Sequence, residues 1–381
     1  MKLRQKAVQI AIACLTSTVL AACGGSNHDG SNGGSIDAAQ NFKSTLLVSD
    51  GSVSAPNTDA DLKNGWGLAI NPAGDMWVSD NGTGNSSLFD GNGVVQSLVV
   101  AIPNNGVADG GPTGIQFNTT TDFPISANGG TPAPAVFLWS TEAGTIAAWS
   151  PKVLPTTAVI AFTDTGGAVY KGLALGSNAG QSLLYATDFH NKKIDVFNTS
   201  FTKVALAGTF TDPTLPAGFS PFGIAILNGT VYVTYAVLGP DGRTQVNGAG
   251  NGVVDAFDTA GNFVKRIATG GTLNSPWGLV LAPSNFGSLS NDLLVGNFGA
   301  GTIDAFNPST GAVVGALTLS NGSTFVQPGI WGLAFGNNVD SQPLNTLFYA
   351  AGPTATTGVY GRLDVASSSA AASAPAAASA P

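Results

Sequence analysis

One short phrase recurs six times along the chain and constrains its fold more than any other feature. An aromatic or small residue, in one case lysine, is followed by glycine and then Leu or Ile. The phrase occurs as Trp66-Gly67-Leu68, Thr113-Gly114-Ile115, Lys171-Gly172-Leu173, Phe222-Gly223-Ile224, Trp277-Gly278-Leu279 and Trp331-Gly332-Leu333. By subtraction, successive glycines lie 47, 58, 51, 55 and 54 residues apart. Periods of this length mark propellers or solenoids, in which every repeat is one supersecondary unit.

Each phrase leads into a second apolar run, such as Met76–Asp80, Phe137–Thr141 and Leu293–Asn297, and then into an alternating third run. The third runs include Ile194-Asp195-Val196-Phe197, Val254-Asp255-Ala256-Phe257 and Ile303-Asp304-Ala305-Phe306. Alternation marks strands with one buried face, and it places the aspartates on the solvated face or at a turn. A fourth run closes five of the units, at Val94–Val100, Thr157–Phe162, Val204–Phe210, Phe263–Ala268 and Val313–Leu319. The place left open in the sixth is filled by Lys43–Val48, if that segment pairs with the run ending at Arg362-Leu363-Asp364. The pattern predicts an all-β fold over residues 42–365: a six-bladed β-propeller of four-stranded blades, closed by the N-terminal strand joining the last blade. Glycine at 51 of 381 residues and charged residues at 9% agree with short strands and tight turns, not with helices carrying solvated faces.

Both ends of the chain read as something other than fold. Lys2, Arg4 and Lys6 precede an apolar run from Ala7 to Leu20, too short to span a bilayer, and Leu20-Ala21-Ala22-Cys23 resembles the lipobox of bacterial lipoproteins. Residues 1–22 are expected to be a lipoprotein signal peptide. Acylation at Cys23 would then anchor the exported chain in the cell envelope, with Gly24 implying the outer membrane. Residues 23–41 would form a Gly/Ser/Asn-rich flexible tether, and 366–381 a disordered Ala/Ser/Pro tail. Cys14 leaves with the signal, so no internal disulfide is available. Loss of the three positive signal residues takes the formal charge from −8 to −11, which disfavours nucleic acid as a partner.

The phrases NGWGLAI, YKGLALG, FSPFGIAILNGTVYVTYA, GNGVVDAFDTAGNFVKRI, LNSPWGLVLAP and LLVGNFGAGTIDAFNPSTG resemble an uncharacterised family of secreted bacterial propeller proteins, from about residue 42 to 365. More distantly, the repeats resemble NHL-type blades and gluconolactonase-like propellers. The family resemblance implies a fold but no activity.

In a propeller with this strand order, the starts of the first strands and the ends of the second strands share one face near the channel. Trp66, Phe222, Trp277, Trp331 and Tyr235 form the aromatic candidates there, accompanied by Thr113 and Lys171. They would grip a protein, peptide or glycan; their repetition at one blade position also suits packing between blades. Asp80, Asn81, Glu142, Asp188 and Asn297 are the oxygen donors that a calcium ion would take. The gluconolactonase-like resemblance implies that such an ion polarises a lactone, with Glu142, Asp80 or Asp188 catalytic. The same side chains also suit hydrogen bonds to turn backbone, which their recurrence favours. His190 is the propeller's sole histidine and no Gly-x-Ser-x-Gly elbow occurs, so imidazole metal clusters and serine triads find no support. The excursion from Gly239 to Gly252 is a candidate cover for the channel mouth. The expectation is a non-catalytic binding propeller at the cell envelope, with a calcium-dependent lactonase-like hydrolase as the alternative.

Overall fold

A computed structural model describes residues 41–366; the signal, Cys23, the tether up to Gln40 and all but the first residue of the C-terminal tail lie outside the described residues. Every blade opens on one of the six phrases. Blade 1 runs outward through Gly65–Ile70, Met76–Asp80, Asn85–Phe89 and Val100–Ala101, and blade 2 through Pro112–Phe117, Phe137–Thr141, Thr145–Trp149 and Val159–Thr163. Blade 4 comprises Phe219–Leu227, Thr230–Val237, Val253–Phe257 and Phe263–Thr269. Blade 5 comprises Pro276–Leu281, Leu293–Asn297, Thr302–Phe306 and Val313–Ala316. Blade 6 supplies Ile330–Phe335, Thr346–Thr354 and Thr357–Val365 from the C-terminal part, and Phe42–Ser49 completes it in antiparallel register from Phe42↔Val365 to Ser49↔Val359. The expected clasp by both ends of the propeller is therefore present, and the short strand Asn57–Thr58 adds a parallel rung outside it.

Blade 3 departs from the four-stranded plan. Tyr170–Asn178, Gln181–Asp188 and Lys193–Phe197 form a three-stranded sheet, and the run Val204–Phe210 is not a strand. Val204 N–H still donates to Val196, 2.8 Å. Beyond it the backbone turns away, and the N–H groups of Gly208 and Phe210 donate instead to Ala260 and Gly261 in a turn of blade 4, at 2.8 and 2.9 Å. The chain satisfies its polar backbone with the neighbouring blade instead of its own, since either partner removes the cost of a buried unpaired amide.

The phrase glycine exists because the inner strands meet around the axis. A Cβ on Gly67, Gly114, Gly172, Gly223, Gly278 or Gly332 would come within 3.0 Å of backbone in the first strand of the next blade, and Gly332 meets Trp66 to close the circle. Among the described residues, the buried apolar side chains fall into six layers, each between two adjacent blades. A seventh cluster lies at the axis: Trp66, Phe189, Phe222, Ala236, Trp277 and Trp331. The third-strand aspartates are buried rather than solvated. Asp195 accepts from the Tyr170 hydroxyl at 2.8 Å, Asp255 from Arg266 at 3.1 Å and Asp304 from the Thr272 hydroxyl at 2.7 Å. The alternating pattern identified a face without revealing that inner-strand, outer-strand and loop donors cover it.

Candidate functional site

Strand alternation splits each residue pair at the end of a second strand. Neighbouring side chains point to opposite faces, so Asp80 turns into its blade while Asn81 faces the axis. Asp80 is fully buried and accepts from the Ser87 hydroxyl at 2.7 Å; burial pushes its carboxyl well up from the usual range. Asp188 accepts from Asn191 backbone and side chain at 3.1 and 2.8 Å, and burial raises its carboxyl too. Asn297 accepts from the N–H of Asn274 and donates to Asp304, at 3.0 and 2.9 Å. Asp188 and Asn297 accept from loop backbone, as the hydrogen-bonding alternative has it, whereas Asp80 is held by the third strand of its own blade.

The cavity lies at the channel mouth on this face, with a volume of about 690 Å³. Of the five predicted cation donors, it receives Asn81 and Glu142; Asp80, Asp188 and Asn297 are not among its lining. Among the described residues, no three acidic, histidine or cysteine side chains come together as a metal site. The calcium set thus does not converge, because it drew on both faces of the same strands.

A polar arc runs along one side of the cavity. Lys171, only 2% exposed, forms an ion pair with Glu142, which is 12% exposed. The other Glu142 oxygen accepts from Asn81 Nδ2 at 3.0 Å. Asn81 Oδ1 accepts from Asn64 Nδ2 at 2.9 Å, and Asn64 Oδ1 accepts from Trp331 Nε1 at 3.3 Å. One continuous chain of donors and acceptors therefore links blades 3, 2, 1 and 6. Lys171 Nζ also lies 5.0 Å from the centre of the Trp66 ring, within cation–π range.

The aromatic candidates mostly pack on each other. Trp66 and Trp331 stack with centroids 3.8 Å apart, and Phe298 covers the other face of Trp331 at 3.9 Å. Trp277 meets both tryptophans edge-on, and Phe222 meets Trp331 in the same way. Trp66 and Trp331 form the cavity floor, whereas Phe222 and Trp277 sit behind them as the plug of the channel. Tyr235 lies elsewhere, in the layer between blades 3 and 4, with no hydrogen-bond partner for its hydroxyl among the described residues. As a ligand-binding residue it is set aside, since its side chain is buried away from the cavity. Phe298 is half-buried on the cavity wall and presents the ring that the sequence did not single out.

The excursion in blade 4 reaches the mouth as expected. Asp241, Arg243, Thr244 and Gln245 line the cavity, and Arg243 Nη2 donates to the carbonyl of Asp109 at 2.9 Å, on the loop leading from blade 1 to blade 2. The Arg243 N–H, followed by the Thr244 hydroxyl and N–H, holds the Asp241 carboxyl down to about 2. His190 contacts the Gly242 carbonyl through Nδ1 at 3.0 Å and supports this loop from below. Lys171 was visible in the sequence as the one cation at the first position of the six phrases. Asn64 and Arg243 lie in loops, where no period marks them.

Sequence comparison adds kinship. The chain is 33% identical over 307 residues to the uncharacterized protein R648 of Acanthamoeba polyphaga mimivirus, covering 78% of this chain and 74% of that one. It is 32% identical over 305 residues to the uncharacterized protein L690 of the same virus, covering 78% and 79%. This chain belongs to their family. No protein-family profile matches it. Among solved structures, a glucose dehydrogenase is similar with a TM-score of 0.52 and 13% identity, over 86% of this chain and 100% of that one. The PQQ-bound aldose sugar dehydrogenase of Streptomyces coelicolor gives 0.51 and 13%, over 86% and 99%. At such identities the likeness extends to the propeller fold. The viral relatives bring no activity with them, so the cavity itself carries the functional argument.

Proposed function

We propose that this protein is a non-catalytic binding propeller of the cell envelope, whose channel-mouth cavity holds a small polyhydroxylated ligand such as the end of a glycan. The observation that supports this most is the lining. Cavities of about 300–1,000 Å³ suit small ligands, and this one combines amides, hydroxyls and one half-buried ring. Asn64, Asn81, Asn104 and Gln245 place amides on the lining, Thr83 and Thr354 place hydroxyls there, and Phe298 adds an apolar wall. A sugar presents the same mixture, with hydroxyls at its rim and C–H groups on its faces. The lactonase-like reading draws no support from this geometry, because Asp80 and Asp188 are committed inside their blades.

Display at the envelope rests on the lipobox and the lysine- and arginine-led h-region before it, with acylation at Cys23. The relatives are viral, so the support for export comes from this chain's own N-terminal sequence.

A glycan array read with the unlipidated Cys23→Ser chain tests the reading, followed by calorimetry on the best ligand. Asn81→Ala and Phe298→Ala should each weaken binding by about tenfold, the strength of one hydrogen bond or one ring contact. Absence of glycan binding, or affinity unchanged in both variants, would overturn it. A fatty-acid label lost on Cys23→Ser checks the anchor.

A further inference from the structure

The two charges of the cavity's inner arc, Lys171 and Glu142, are matched before any ligand arrives. Lys171 is enclosed by Glu142, by the Trp66 ring at 5.0 Å and by the Phe189 ring at 5.8 Å. Glu142 commits its second oxygen to Asn81. At the rim, Arg243 donates to a backbone carbonyl, and the Asp241 carboxylate accepts from the N–H groups of Arg243 and Thr244. An ion kept from water by aromatic walls takes a counter-ion or suffers a large desolvation penalty.

We propose that the Glu142–Lys171 pair makes the cavity select uncharged ligands, each partner filling the counter-ion place that the other would offer; this rests on the cavity being the binding site argued above. An anionic sugar meets a carboxylate already seated on the one buried cation. A cationic sugar meets an ammonium already seated on the one carboxylate of the arc. Neutral sugars meet neither obstacle and use the amides and hydroxyls around the pair.

Three probes with the same ring separate the cases: methyl glucoside, glucuronate and glucosamine. They are titrated into the unlipidated full chain by calorimetry and by tryptophan emission, which reports on Trp66 beside Lys171. The wild-type chain should prefer methyl glucoside to both charged sugars by about tenfold or more. Glu142→Gln frees the cation, and glucuronate affinity should rise by about tenfold, the strength of a charge-assisted hydrogen bond. Adding Lys171→Met should remove that gain. If Glu142→Gln does not fold, Lys171→Gln gives the mirror result, a comparable gain for glucosamine. Equal wild-type affinity for charged and neutral sugars overturns the proposal, and so does a folded variant that gains nothing for its matching charge. If the wild-type chain takes no sugar at all, the glycan reading fails separately. Inorganic phosphate then tests the pair: binding gained by Glu142→Gln and lost with Lys171→Met upholds it, and no gain overturns it.

Discussion

Gly223 carries a single hydrogen where a methyl group would run into the Trp277 carbonyl of the next blade. Its N–H is meanwhile held by the Thr234 hydroxyl at 2.8 Å, so the strand cannot slide aside to make room. Gly223→Ala should therefore lower unfolding stability by about 2–3 kcal/mol through overpacking. Gly74→Ala is the control, because its nearest neighbour would be at an ordinary 3.5 Å; that change should stay within about 0.5 kcal/mol. Denaturant titration of both variants checks the difference, and equal losses would mean that the ring of glycines is not under contact. The glycines were legible as a repeat, yet their purpose needed the neighbouring blade. The same limit applies at the site. The pairs Asp80-Asn81 and Thr141-Glu142 were visible at strand ends, but the sequence does not say which member of a pair faces the axis, and the five calcium donors mixed both faces.

At the scale of strands, one cation serves two buried carboxylates. Arg266 on the outer strand of blade 4 contacts Asp255 through Nε at 3.1 Å and also pairs with Asp212. Burial pushes the Asp255 carboxyl up to about 7. Its value in the unfolded chain is about 3.9, so the folded state holds the extra proton in between. The sign follows from linkage. The contribution is complete below the unfolded value and declines as pH rises from about 4 to about 7, after which it is flat. Burial raises Asp80 and Asp188 in the same direction. Thermal unfolding should thus occur at lower temperature at about pH 8 than at about pH 5, with each tenfold gain in proton affinity on folding worth at most ~1.4 kcal/mol. Asp255→Asn should reduce this slope without abolishing it; an unchanged slope would remove Asp255 as its source. The alternation Val-Asp-Ala-Phe announced the strand correctly, but a period of two cannot distinguish a wet face from one covered by an arginine. Blade 3 lacks its fourth strand for a similar reason, since Val204–Phe210 has a suitable pattern but its Gly208 and Phe210 N–H groups find their partners next door.

The ring as a whole depends on a junction between residues more than 300 positions apart in sequence, Phe42–Ser49 against Thr357–Val365. The count of strands in the sequence implied this junction, because six blades with five fourth runs left one place vacant. Phe42, Leu47 and Val48 from the closing strand are 1, 5 and 0% exposed, so they enter the layers that join blade 6 to blades 5 and 1. Burying each such side chain contributes about 1.5–3 kcal/mol. Loss of all three would approach the total stability of an ordinary domain, about 5–15 kcal/mol. Val48→Asp places an unpaired carboxylate among Met76, Phe89 and Tyr360 and should abolish cooperative unfolding or shift its midpoint strongly downward. Lys43→Ala on the exposed side of the same strand should change stability by no more than about 0.5 kcal/mol. If the two variants unfolded alike, the closing strand would be an ornament on a ring already complete. The expected contrast makes it the clasp through which every blade shares one transition.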